Sequence, residues 1–146
     1  MRKSKQVIII RKDLNMRKGK MVAQGSHASL KAILDKMDWT KRTFGLRQMN
    51  ADTVEYGGDL KLKEQDVTYA MKDWLTDKFT KICVSVNSEA ELLEIYNKAN
   101  EKGLPCSLIT DAGLTEFNGV PTLTCCAIGP AWDDEVNEIT SKLQLL

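Results

Sequence analysis

Gln6-Val7-Ile8-Ile9-Ile10 runs directly into Arg11-Lys12-Asp13-Leu14-Asn15-Met16-Arg17-Lys18-Gly19-Lys20 and then Met21-Val22-Ala23-Gln24-Gly25-Ser26-His27-Ala28. Four consecutive β-branched residues, Val7 to Ile10, are what a buried strand prefers, because branched side chains pack well on a pleated surface. The strand delivers a cationic loop to the start of a helix near Gly19. On that helix Lys20, Gln24 and His27 stand at i, i+4 and i+7, which places an ammonium, an amide and an imidazole on one stripe. Such a surface suits an anionic, polar substrate.

The remaining pattern extends this unit into an α/β domain. Tyr69, Met71, Trp74, Leu75 and Phe79 predict a short helix with an aromatic packing face, and Ile82 to Val86 a second strand. Ser88, followed three residues later by Glu91, reads as a capping box, and Gly103 with Pro105 stops the helix whose core stripe is Leu92, Leu93, Ile95, Tyr96 and Ala99. Cys106–Ile109 and Leu123–Ile128 read as strands three and four, the latter ended by Gly129-Pro130. Trp132–Leu143 reads as a last helix with Val136, Ile139 and Leu143 inward. The order β-α-α-β-α-β-β-α predicts a single-domain α/β fold with a four-stranded mixed sheet and helices on both faces. Asp35 to Gln65, with Gly45, Gly57 and Gly58, reads as an insertion or long loop within the domain of residues 1–146.

Size and charge narrow the function. A chain of 146 residues with 42% hydrophobic content is enough for one domain with a proper core. The formal charge of +1 is an average over two unlike ends. Between Met1 and Lys20, eight basic residues face one acid, Asp13, a net +7, whereas Asp133, Asp134, Glu135 and Glu138 crowd the last helix. No apolar run approaches the ~18 residues of a membrane span, and the N-terminus lacks the apolar core of a secretory signal. The expected location is cytoplasmic. Cys83, Cys106, Cys125 and Cys126 fall in strand-like runs with no C-x-x-C pair and a single histidine, so they read as reduced core thiols rather than zinc ligands. Gly19-Lys20 is no P-loop, since Met21 follows the lysine and the first glycine is absent.

Arg11-Lys12-Asp13-Leu14, Met16, Lys18-Gly19-Lys20, Ala23-Gln24 and Ser26-His27-Ala28 together resemble the signature of the archaeal and eukaryotic-type, or class 2, peptidyl-tRNA hydrolases. The resemblance resumes in order at Leu104, Leu108-Ile109, Asp111-Ala112-Gly113, Thr115, Thr124 and Ala127-Ile128-Gly129-Pro130, covering about three-quarters of the chain and leaving out 35–69. It implies the same fold, usually as a homodimer, and cleavage of the ester between peptide and tRNA without metal or organic cofactor. Catalytic positions carried over from the family pattern are Lys20, Asp111, Thr115 and Thr124, supported by Gln24 and His27.

In that chemistry a carboxylate orients water and a cation faces the developing oxyanion, parts that suit Asp111 and Lys20. Arg11, Lys12, Arg17 and Lys18 are the candidates for tRNA phosphates. Taken alone, each residue has a plainer reading: Lys20 as a solvated charge, Asp111 as a turn former, His27 as a packed core histidine. The family's arginine after Asp-Ala-Gly is Leu114 here, so a guanidinium for phosphate is missing; the candidates for substitute charge are Lys12, Arg17 or Lys18, or Arg42 or Arg47 in the insertion, which otherwise reads as a tolerated surface segment. The alternative function is an inactive tRNA- or protein-binding module on the same fold.

Overall fold

The computed structural model describes residues 1–42, 57–63 and 68–146. Strand β1, Ser4–Arg11, lies in the middle of the main sheet. Helix α1 is Lys18–Leu34, and strands β2, Met37–Arg42, and β3, Gly57–Leu62, follow it. Then come α2, Tyr69–Thr76, β4, Lys81–Val86, α3, Glu89–Glu101, and β5, Cys106–Asp111. The chain closes with β6, Thr122–Trp132, α4, Asp133–Thr140, and β7, Gln144–Leu145. The main sheet has the order β5-β6-β1-β4-β7, with β1 and β4 parallel and the other pairs antiparallel.

Alternation along β1 explains its unbroken apolar run. Val7 and Ile9 join Val84, Val86, Cys126 and Ile128 on the face covered by Leu92 and Ala99 of α3 and by Val136 and Ile139 of α4. Ile8 and Ile10 join Ile109, Cys125 and Ala127 on the opposite face, under Ala28 and Ala32 of α1. A strand covered on both faces has no side to give to water, so period-two polarity vanishes from its sequence. Gln6 is fully buried among these residues because its amide is used at both ends. Its Nε2 donates to the carbonyls of Ser29 and Gly129, and its Oε1 accepts from Ser29 Oγ at 2.5 Å.

The predicted boundary of α3 holds: Ser88 Oγ accepts from Glu91 N–H at 3.1 Å, and Glu91 Oε2 accepts from Asn87 N–H at 2.8 Å. Other expectations are corrected. The sheet has five strands, because the helix expected to run to Leu143 stops at Thr140 and Gln144 and Leu145 pair with β4, and Leu146 N–H reaches Cys83 O at 3.1 Å. The exposed edge of β4 offers backbone groups that a frayed helix end lacks.

Strand four does not stop at Gly129-Pro130 but continues to Trp132 through that cis bond. Gly129 sits at φ 96°, where a Cβ would stand 2.5 Å from Lys5 O, and the β1–β6 register shifts at this point. In α2, Met71 and Trp74 are buried, whereas Tyr69 and Leu75 face outward. Cys83 is exposed, unlike buried Cys125 and Cys126.

Within the expected insertion, β2 and β3 form a separate two-stranded antiparallel ribbon. Gly45 and Arg47 lie outside the described residues.

Basic and acidic ends of the sequence meet in space. Arg2 is bound to Asp134 at 2.9 Å and lies over the Trp132 ring, Asp133 N–H donates to Lys3 O, and Lys5 Nζ donates to Asn137 Oδ1. Part of the N-terminal charge is therefore spent at the start of β1. Lys12, Arg17 and Lys18 stand at its other end, about 20 Å away at ~3.3 Å per residue.

Candidate active site

Beyond Arg11 the chain makes one tight turn, Lys12–Leu14, with Asn15 left-handed at φ 50°, before α1 begins. The helix is fastened to the sheet by its carbonyls: Ser107 Oγ donates to Ala28 O at 2.6 Å and Cys125 Sγ to Gln24 O at 3.2 Å. Gly25 faces β1 in this contact, where a Cβ would sit 3.4 Å from Ile8 Cγ2 and 3.9 Å from Ile10 Cδ1. Fixed in this way, the first turns of α1 hold Lys20 and Gln24 over the carboxyl end of β5, where Asp111 stands.

Asp111 is the centre of the site. Oδ1 accepts from Lys20 Nζ at 2.7 Å and from Gln24 Nε2 at 3.0 Å, and Oδ2 accepts from Gly113 N–H at 2.9 Å. Lys20 Nζ also donates to Thr115 Oγ at 3.1 Å. The hydrogen bond from Lys20, joined by those from Gly113 and Gln24 and by the lysine's charge, holds the Asp111 carboxyl below its usual range against the opposing effect of desolvation. The carboxylate is thus ionised at neutral pH. Being a weak base, it is better fitted to orient a water than to strip its proton completely. An ammonium has three donors, so Lys20 keeps one for a substrate oxygen, and Thr115, accepting from Lys20, keeps its O–H.

The loop after β5 is shaped by close backbone contact. Gly113 has φ 80°, and a Cβ would stand 2.4 Å from Val120 O; Gly119 N–H donates to Gly113 O at 2.8 Å. Only glycine fits there. The fold-back brings Phe117 to the site, its ring 5.8 Å from Lys20 Nζ and packed on the cluster of Ile8, Ile10 and Ile109. Phe117 is absent from the residues that the sequence singles out; an aromatic six residues after the Asp111 carboxylate is the available signal.

The structure places the other candidates less uniformly. Thr124 is fully buried and does not line the pocket as expected; its hydroxyl donates to Gln24 Oε1 at 2.5 Å. His27 is neither packed nor beside the carboxylate. It is exposed one turn beyond Gln24, in a shallow depression with Leu30, Leu34 and Ile109, because β5 passes beneath α1 and presents Ile109 at that level.

Arg11 is not available for phosphate. Its side chain is 10% exposed, and its guanidinium is bonded to Asp13 at 2.7 Å, to Leu123 O at 2.9 Å and to Glu89 at 3.4 Å. Those bonds tie the end of β1 to β6 and α3, and the Arg11 hydrogen bond lowers the Asp13 carboxyl. Lys12, Arg17 and Lys18 are exposed beside the site, and Leu114 stands almost fully exposed on its rim.

Residues 4–146 match the family model described as Peptidyl-tRNA hydrolase PTH2. A peptidyl-tRNA hydrolase of Methanocaldococcus jannaschii is 42% identical over 142 residues, covering 97% of this chain and 99% of the relative. Similar proteins of the same name occur in Methanothermobacter thermautotrophicus, 37% identical over 97% of this chain and 99% of the relative, and in Thermococcus sibiricus, 36% identical over 99% and 98%. A match that spans the chain from β1 to β7, and so includes both halves of the Lys20–Asp111 pair, assigns this protein to the PTH2 family of peptidyl-tRNA hydrolases.

Proposed function

We propose that the protein hydrolyses the ester joining the peptide's last carbonyl to the 3′ ribose of peptidyl-tRNA, releasing peptide and free tRNA. The observation that carries this reading is the Lys20–Asp111 pair at the mouth of the site, 15% and 14% exposed. An ester has a good leaving group, so an oriented water and a cation facing the oxyanion supply what the step needs. Asp111 orients the water, Lys20 and the Thr115 hydroxyl face the carbonyl oxygen, and Lys12, Arg17 and Lys18 take backbone phosphates.

Its place of work would be the cytoplasm, where peptidyl-tRNA arises. Among the described residues no helix is long and apolar enough to cross a membrane. The test is turnover of N-acetylated aminoacyl-tRNA by the purified chain; release of N-acetyl amino acid at the rate of a buffer blank would overturn the assignment.

The acting unit is proposed to be a homodimer built on α1. Val22, Ser26, Leu30 and Leu34 form an i, i+4 ridge whose three apolar members are exposed. Beside it runs an apolar groove of about 760 Å³ walled by Ile8, Ile10, Met21, Trp74, Phe79 and Leu146. A ridge lying next to a groove is self-complementary across a two-fold axis, and i±4 ridges interdigitate readily.

A further inference from the structure

We infer that Thr124 is a positioning residue: its buried hydroxyl holds the Gln24 amide so that Asp111 meets an N–H donor and never the amide oxygen. The inference rests on the hydrolase reading for its kinetic consequence alone. Thr124 is 0% exposed and Gln24 2%, so neither water nor substrate reaches the contact between them. The hydroxyl donates to Gln24 Oε1 at 2.5 Å, and the other end of the same amide donates to Asp111 Oδ1 at 3.0 Å. The two bonds use opposite ends of one planar group.

A rotated amide would set its oxygen against the carboxylate, acceptor facing acceptor, and leave the Thr124 hydroxyl facing an N–H in a contact closed to solvent. Holding the oxygen end in place therefore secures the nitrogen end. The other acceptor within reach of Thr124, Cys125 Sγ, is 3.7 Å away and is itself occupied as a donor to Gln24 O. The hydroxyl thus has one strong partner.

The consequence reaches Asp111 through Gln24. Lys20 of α1 is the charged group that lowers the Asp111 carboxyl; from the loop after β5 come the uncharged Gly113 N–H and, through Lys20, Thr115, and from β6 Thr124 acting through Gln24. Removing the hydroxyl leaves Oε1 a buried acceptor without a partner, and an amide that turns to satisfy it withdraws its donor from Oδ1. The carboxylate then loses one of three stabilising bonds, and the water it orients loses its fixed position.

Thr124→Val, which keeps shape and removes the hydroxyl, tests this, with Thr124→Ser as the variant that restores it. Asp111 is followed by carboxyl-¹³C NMR titration, and hydrolysis of N-acetylated aminoacyl-tRNA is measured in parallel. The valine variant is expected to raise the Asp111 titration midpoint by about half to one pH unit and to lower kcat about tenfold with KM within about twofold. The serine variant is expected to return both to the parent's values. A valine variant that titrates like the parent, or a serine variant as impaired as valine, overturns the inference.

If Thr124→Val does not fold, the double variant Gln24→Met/Thr124→Val removes both partners together and leaves no orphaned polar atom. It should titrate as Gln24→Met alone does, and a further shift on adding valine overturns the inference. A parent that fails to hydrolyse the ester, with the NMR shifts as described, refutes the hydrolase reading and leaves the positioning role standing.

Discussion

Lys20 and Asp111 are 91 residues apart in sequence, yet Nζ stands 2.7 Å from Oδ1, with both side chains about six-sevenths covered. Placed at this depth, Asp111 stays ionised beside the lysine and the pair still faces a substrate. Ion pairs fully in solvent contribute little, and fully buried pairs carry a heavy desolvation cost; a pair on the threshold avoids both extremes. The two residues come from the first turn of α1 and the last residue of β5, so the bond also closes the mouth of the site around Thr115 and Phe117.

Asp111→Asn keeps the shape of the side chain and removes its charge. Turnover of N-acetylated aminoacyl-tRNA should fall at least ~100-fold, the lower range for loss of a positioned acid–base group. The circular-dichroism spectrum should match the parent's, and near-parent turnover would take Asp111 out of the mechanism.

Lys20→Ala should lower kcat sharply, and Lys20→Arg should recover only part of it, because a planar fork cannot replace a compact ammonium between Asp111 and Thr115. Steady-state kinetics decides between roles. An alanine variant with raised KM and unchanged kcat would make Lys20 a phosphate ligand rather than a partner of the oxyanion.

Acidification should cost the parent more stability than it costs Asp111→Asn, bringing the two together at low pH. The folded Asp111 carboxyl lies below its ordinary 3.8, so its contribution to stability is full above that value and is lost as pH falls through the lower folded value. Asp13 and Asp134 are lowered in the same way by Arg11 and Arg2, so both proteins weaken in acid. Urea midpoints taken from about pH 6 down to about pH 2 should therefore show a smaller acid loss in the asparagine variant; parallel curves would deny the Asp111 share.

Basic residues at the two ends of β1 should separate cleanly. Lys12, Arg17 and Lys18 replaced together by Ser should weaken tRNA binding and flatten its salt dependence, since every phosphate left without its cation lowers the log–log slope by about 0.7 to 0.9. Lys3→Ser, at the far end, should leave binding unchanged. Arg11→Ala should act on folding instead, costing about 1–3 kcal/mol through the orphaned Leu123 carbonyl and unpaired Asp13. Filter binding across a salt series and urea denaturation distinguish these outcomes.

Leu30→Glu, in the middle of the exposed α1 ridge, should shift the protein from dimer to monomer in light scattering without loss of helix content. An isolated charge at a two-fold helix contact meets its own copy. A parent that is monomeric at micromolar concentration would remove the dimer from the proposal.

Patterns that are local in physical origin are legible in the sequence by itself. Branched residues from Val7 to Ile10, the Ser88 cap with Glu91 reaching back to Asn87 N–H, and the stripe of Leu92, Ile95, Tyr96 and Ala99 each act through neighbours within a turn or a strand, so their spacing alone specifies them. Lys20, Gln24 and Asp111 are legible as motif residues, and the fold brings all three together.

What depends on distant partners was decided by the tertiary structure. Arg11 reads as one more cation in a basic loop, but Glu89 and the Leu123 carbonyl, 78 and 112 residues away, turn it into a structural tie. Thr124 and His27 both depart from their expected positions, the threonine going under Gln24 and the histidine out to solvent, because the level at which β5 passes beneath α1 is set by packing. Gln144 and Leu145 become a strand only because β4 has an open edge for their backbone. Short-range periodicity records which face a residue presents to its own element; whether that face meets a carboxylate, a core or water depends on the elements packed against it.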